Sequence, residues 1–150
     1  MFPISHFNIT RTPFYYYDKT LLSNTLAKLI RLAGERNYHV HYAVKANANP
    51  EILKLIAASG IGADCVSGGE IKAALEAGFP AKKIVFAGVG KADWEIEYAL
   101  EKKIFCFNVE SAEELSVIEE LAKKKENIAS IALRINPNID AHTPVSYTHL

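Results

Sequence analysis

A chain of 150 residues is long enough for one domain with a real core, and 49% apolar residues with 17 basic against 17 acidic side chains is an ordinary soluble, globular composition. The formal net charge of zero gives no electrostatic pull toward nucleic acid or an anionic membrane, and no apolar run approaches the roughly 20 residues that span a bilayer. Residues 1–10 lack the basic-then-apolar order of a secretory leader, and Cys65 and Cys106, each in an apolar run, read as buried thiols of a reducing compartment, so a cytoplasmic location is expected.

Short apolar runs alternate with longer amphipathic stretches. Thr20 to Gly34 carries Leu21, Leu22, Leu26, Leu29 and Ile30 at helical spacing. Tyr38 to Ala46 is the first expected strand. Pro50 opens the next helix, where its missing N–H costs nothing, and Gly60 stops it. Further strands are expected at Ala63 to Ser67, Lys83 to Ala87, Ile104 to Val109 and Ser130 to Asn136. Ser111 and Glu114 fit a capping box, and Lys123, Lys124 and Lys125 close that helix where its dipole favours cations, as a solvated end. No internal repeat, low-complexity segment or linker interrupts the rhythm.

Strands alternating with helices imply a parallel sheet with helical crossovers, either an open doubly wound sheet or a (β/α) barrel. Val40, Tyr42 and Val44 share one face of the first strand, and His39, His41, Ala43 and Lys45 the other. Phe105, Phe107 and Val109 oppose Ile104, Cys106 and Asn108, and Ile131, Leu133 and Ile135 oppose Ala132, Arg134 and Asn136. One face is large and apolar, as contact with helices requires. The other is small, with polar groups gathered late in each strand, as at the C-terminal mouth of a barrel. Parity favours the barrel but does not forbid the open sheet. With five strands counted and eight needed to close, the expected α/β fold is a partial (β/α) barrel.

Several residues stand where chemistry is possible. Lys45 ends an apolar strand; burial inside a barrel would lower its pKa and supply the neutral amine that a Schiff base needs, whereas a strand-end lysine that reaches solvent needs no function. Asp64 and Arg134 take similar places on the second and fifth strands, where a buried carboxylate and guanidinium tend to pair. Ser67-Gly68-Gly69-Glu70 is a strand-to-helix turn, read either as an anion site at a helix N-terminus or as a turn capped by Ser67 and Glu70. Gly88-Val89-Gly90-Lys91 fails the phosphate-loop pattern, with Val85 and Ala92 at its key positions. His39 and His41 lack companions at ligand spacing, so no metal site is expected.

Tyr42-Ala43-Val44-Lys45-Ala46-Asn47 resembles the cofactor-lysine motif of the fold-type III pyridoxal-phosphate decarboxylases. Gly62 to Glu70, Phe107 to Ser111 with Glu114-Leu115, and Leu133 to Pro137 resemble later blocks of that family in order, and Thr12 to Asp18 fits the branch acting on meso-diaminopimelate. The resemblance runs from about Phe2 to Thr143. It implies a pyridoxal 5'-phosphate cofactor held by Lys45, with Asp64 and Arg134 close to it, and Glu70 at a family position of less defined role. It implies a barrel joined to a β-domain, a homodimer with interfacial active sites, and decarboxylation of meso-diaminopimelate to L-lysine, the last step of lysine biosynthesis. Decarboxylases of the same fold type acting on ornithine, arginine or carboxynorspermidine, and a non-catalytic carrier of the cofactor, are the competing readings. Alanine racemase shares the barrel and the lysine but fits poorly after Lys45.

Residues 144–150, Pro144 to Leu150, depart from the family and are expected to be a non-native tail, leaving 1–143 as the first part of the barrel domain. The phosphate site, the partner of the pyridine nitrogen and the β-domain are then expected elsewhere in the protein, and these 150 residues alone are expected to lack activity.

Overall fold

The computed structural model describes residues 4–135. The expected ends of the fifth strand at Asn136 and of the barrel segment at Thr143, and the tail Pro144 to Leu150, lie outside them.

After a single helical turn, α1 (Ile4–Phe7), the chain turns and bends as far as Pro13 and continues without regular structure to Asp18, whose carboxylate accepts from Leu21 N at 2.9 Å and starts α2 (Lys19–Gly34). Then follow β1 (His41–Ala43), α3 (Pro50–Ala58), β2 (Gly62–Cys65), α4 (Gly68–Ala77), β3 (Ile84–Phe86), α5 (Asp93–Lys102), β4 (Cys106–Val109), α6 (Ala112–Lys124) and β5 (Ile131–Leu133). Local chemistry sets most of the helix ends. Pro50 stands at the first position of α3 behind the Asn49 cap, Ser67 and Ser111 cap α4 and α6, and Gly78 closes α4 at φ +99°, a left-handed conformation that suits glycine.

The strands form one parallel sheet in the order β1-β2-β3-β4-β5. A doubly wound sheet reverses its order at a switch point. Here every crossover steps to the next strand in one direction, and right-handed crossovers then put α3 to α6 on a single side. α3 touches α4, α4 touches α5, and α5 touches α6. The sheet is therefore the barrel alternative, five strands of a wall.

Register aligns Cys65 with Phe86 and Phe86 with Phe107, and these side chains, with Val44, Ala63, Ile84 and Val109, are buried against the helices. The opposite face carries His41, Ala43, Asp64, Val85, Cys106 and Asn108. Two expectations are corrected. Phe105 does not share the helix side with Phe107: β4 begins only at Cys106, Ile104 enters the core, and the Phe105 ring stands 6.4 Å from that of His41 on the other face. Ile131 and Leu133 keep the helix-side register with Phe107 and Val109, yet Leu133 is 64% exposed, because no described element covers that end of the sheet.

Candidate active site

β1 stops at Ala43, and Val44–Ala46 tighten into a 3-10 turn, so Lys45 sits on a turn just past the strand and not on the strand itself. Val44 below it is fully buried, while the Lys45 side chain is exposed. The desolvation expected to act on this amine is thus missing from a five-stranded wall. Asn47 holds the turn from four directions. Its N–H donates to Val44 O at 3.1 Å, its carbonyl accepts from Tyr42 Oη at 3.1 Å, its Nδ2 donates to Tyr17 Oη at 3.1 Å, and its Oδ1 accepts from Asn49 N at 2.9 Å. Burial pushes the Tyr42 phenol above its usual value, which keeps it a proton donor. Among the described residues no hydrogen bond or ion pair engages Lys45 Nζ, so the turn is held through Asn47 while its amine is uncommitted.

Asp64 pairs in register with Ala43, on the strand beside the lysine. Its Oδ1 is buried without a hydrogen-bond partner. Desolvation raises its pKa, opposed by the charges of Lys45 and His41. The expected pairing with Arg134 is not made. β3 and β4 intervene, which is roughly 14 Å across the sheet at the usual strand spacing. Arg134 instead meets Glu110, with Nη1 at 3.2 Å from Oε2, and its side chain is 42% exposed.

The raised pKa has a testable sign. Between its ordinary and its folded value, Asp64 is protonated in the folded chain and ionised in the unfolded one. Its ionised form therefore opposes folding above the folded pKa, and the penalty fades as pH falls through that value. Without added cofactor, Asp64→Asn is expected to raise the melting temperature at about pH 7, with the gain shrinking toward about pH 4. A gain that grows on acidification would contradict this.

At the β2–α4 turn, Ser67 Oγ accepts from Glu70 N at 3.2 Å, and Glu70 Oε2 reaches back to Val66 N at 2.8 Å. The capping reading is the one realised, one residue further back than the standard box. The Gly68 amide, expected as part of an anion site, is taken by this chain's own Glu95, whose Oε1 accepts from it at 2.6 Å. The thiols are buried on opposite faces of the sheet, and burial pushes Cys65 up to about 12 and Cys106 up as well, so neither favours the thiolate. A cavity of about 430 Å³ lies at the other end of the strands, among Tyr38, His39, His41, Lys83 and Phe105, away from Lys45.

Sequence reasoning missed Glu95 and set Lys91 aside. Glu114 was legible as a capping residue, but its second oxygen binds Lys91, and Lys91 hides in the rejected phosphate-loop pattern. Tyr17 was read only as part of an opening block, not as a partner of Asn47.

Comparison with known proteins gives a consistent set of neighbours. The family model described as pyridoxal-dependent decarboxylase, pyridoxal binding domain, matches residues 23–148. A diaminopimelate decarboxylase of Bacteroides thetaiotaomicron is 60% identical over 149 residues, 99% of this chain and 39% of its own length. Among solved structures, a mutant diaminopimelate decarboxylase of Helicobacter pylori complexed with L-lysine superposes with a TM-score of 0.86 at 45% identity, over 93% of this chain and 36% of that one. The diaminopimelate decarboxylase of M. jannaschii in co-complex with L-lysine gives 0.85 at 39% identity, over 93% and 34%. The chain thus spans between a third and two fifths of the length of the relatives it matches.

Proposed function

This chain belongs to the pyridoxal-dependent decarboxylase family, within its pyridoxal-binding domain, and on that premise we propose that the full-length protein decarboxylates meso-2,6-diaminopimelate to L-lysine with pyridoxal 5'-phosphate held by Lys45. The observation that carries the reading is the uncommitted amine of Lys45 on a hydrogen-bonded turn, next to a strand whose Asp64 leaves a buried oxygen unpartnered. An orphaned buried acceptor costs free energy unless something meets it, and a nitrogen-bearing group in front of Lys45 would do so. The residues present therefore fit the group. The substrate rests on the names of relatives up to 60% identical and on L-lysine in two superposed structures.

When bound, the cofactor supplies an electron sink for the charge left as carbon dioxide departs. The chain's own part is positional. Lys45 Nζ would be the covalent anchor of the cofactor, and as a primary amine it would be able to hold a proton at the site. Asp64 places a half-buried carboxyl on the strand beside that amine, and Arg134, steadied by Glu110, offers a guanidinium for an anionic group of cofactor or substrate. The remaining barrel strands, the phosphate site, the β-domain and a homodimeric arrangement complete the proposal, as does a cytoplasmic location, which suits two buried free thiols. The 150 residues alone carry no turnover on this reading, since among the described residues β1 and β5 are both open edges.

The test is to incubate the full-length protein with pyridoxal 5'-phosphate, reduce with borohydride, and map pyridoxyl-lysine by peptide mass spectrometry, alongside an assay of lysine formation. Label at Lys45 with lysine produced from meso-diaminopimelate is the expected result. Label elsewhere removes Lys45 from its role; preferred turnover of ornithine or arginine overturns the substrate.

A further inference from the structure

The βα turns at the C-terminal end of the sheet are tied together by carboxylates. Glu70 Oε2 accepts from Val66 N at 2.8 Å. Glu95 accepts from Gly68 N at 2.6 Å and from Ala92 N at 2.9 Å, joining the β2–α4 turn to the β3–α5 turn. Glu114 accepts from Glu110 N at 2.9 Å, and Glu110 holds Arg134 at 3.2 Å. One cation connects the two halves of this series. Lys91 Nζ donates to Glu114 Oε1 at 2.6 Å, to Gly88 O at 2.6 Å and to Asn108 O at 2.9 Å, and lies 5.3 Å above the Phe86 ring. All three ammonium donors are used.

The Lys91 side chain is 1% exposed and that of Glu114 13%. Two charges so placed lose their hydration, and well-packed apolar residues of similar size would stabilise a fold about as well. What the pair does provide is register. Gly88, at φ +102°, a left-handed conformation that suits glycine, stands beside the turn just past β2, where a Cβ would meet Val66 O at 3.4 Å, an ordinary contact. Lys91 fastens this same turn to the end of β4, and Glu114 carries the connection to the residue that holds Arg134. The contacts run without a gap from the turn after Asp64 to Arg134.

We infer that Lys91 is a positioning residue of the pyridoxal site: through Glu114 and Glu110 it sets where Arg134 stands relative to Asp64. The inference rests on the cofactor site proposed above. Arg134 is exposed and, among the described residues, has one carboxylate partner, so the place of its guanidinium depends on where Glu110 is held. Glu110 in turn is held through its amide by the carboxylate that neutralises Lys91.

The experiment uses the full-length protein, freed of cofactor and titrated with pyridoxal 5'-phosphate by absorbance. Lys91→Met is expected to weaken cofactor binding about tenfold and to speed amide hydrogen exchange at Gly88 and Glu110. Because that variant strands the Glu114 charge, Lys91→Met/Glu114→Gln is measured beside it, with no charge left unpaired. The expected result is weakened binding at a melting temperature close to that of the parent, a combination that a merely structural role does not give. Affinity within about twofold of the parent in a folded variant that still labels at Lys45 would overturn the inference and leave the cofactor proposal standing. Failure of the parent protein itself to label at Lys45 would overturn both.

Discussion

Lys45→Arg in the full-length protein will lower decarboxylation by roughly 10³-fold or more and abolish the borohydride label, without changing the melting temperature of the cofactor-free protein. Arginine keeps the positive charge near Asp64, so the electrostatics around that carboxylate are largely preserved. It does not keep the chemistry, because a guanidinium remains protonated at any working pH and is no amine nucleophile. The fold should not notice the change. The side chain is exposed, it makes no hydrogen bond or ion pair among the described residues, and the turn beneath it is held by Val44 and by the four bonds of Asn47. Steady-state assay, reductive labelling and a thermal melt of the same preparation freed of cofactor separate the possibilities. Retention of more than about a tenth of the activity would show that Lys45 is not the anchor.

Phe86→Ala will destabilise the barrel by about 3–5 kcal/mol, read as a shift of the urea midpoint at unchanged slope. Phe86 is fully buried in β3, in register with Cys65 on one side and Phe107 on the other, and its ring lies 6.0 Å from that of Phe107. Strands on both sides and helices above restrain collapse into the space the ring leaves, so most of the cavity persists. Against a typical total stability of about 5–15 kcal/mol, this is a large fraction. The ring also lies beneath the Lys91 ammonium, so the variant should bind cofactor less well, in the direction expected for Lys91→Met. A loss below about 1 kcal/mol would mean that the row from Cys65 to Phe107 is not the close-packed centre described here.

What the sequence determined by itself is local. The helix after Asp18, the proline start of α3, the serine caps at Ser67 and Ser111 and the five apolar strand centres all follow from periodicity and capping, whose reach is three or four residues. The family followed from short blocks laid along those elements. Parity alone left two architectures open, because an open sheet and a barrel wall ask the same of any one strand. Only the order β1-β2-β3-β4-β5 decided between them. The tertiary structure also ended β1 two residues before Lys45, turned Phe105 away from Phe107, gave Arg134 to Glu110 in place of Asp64, and buried Lys91 on Glu114. The partners in these last two pairs stand 24 and 23 residues apart in sequence. Such pairs form because strand register brings distant turns to one end of the sheet, and no pattern within a single turn carries that information.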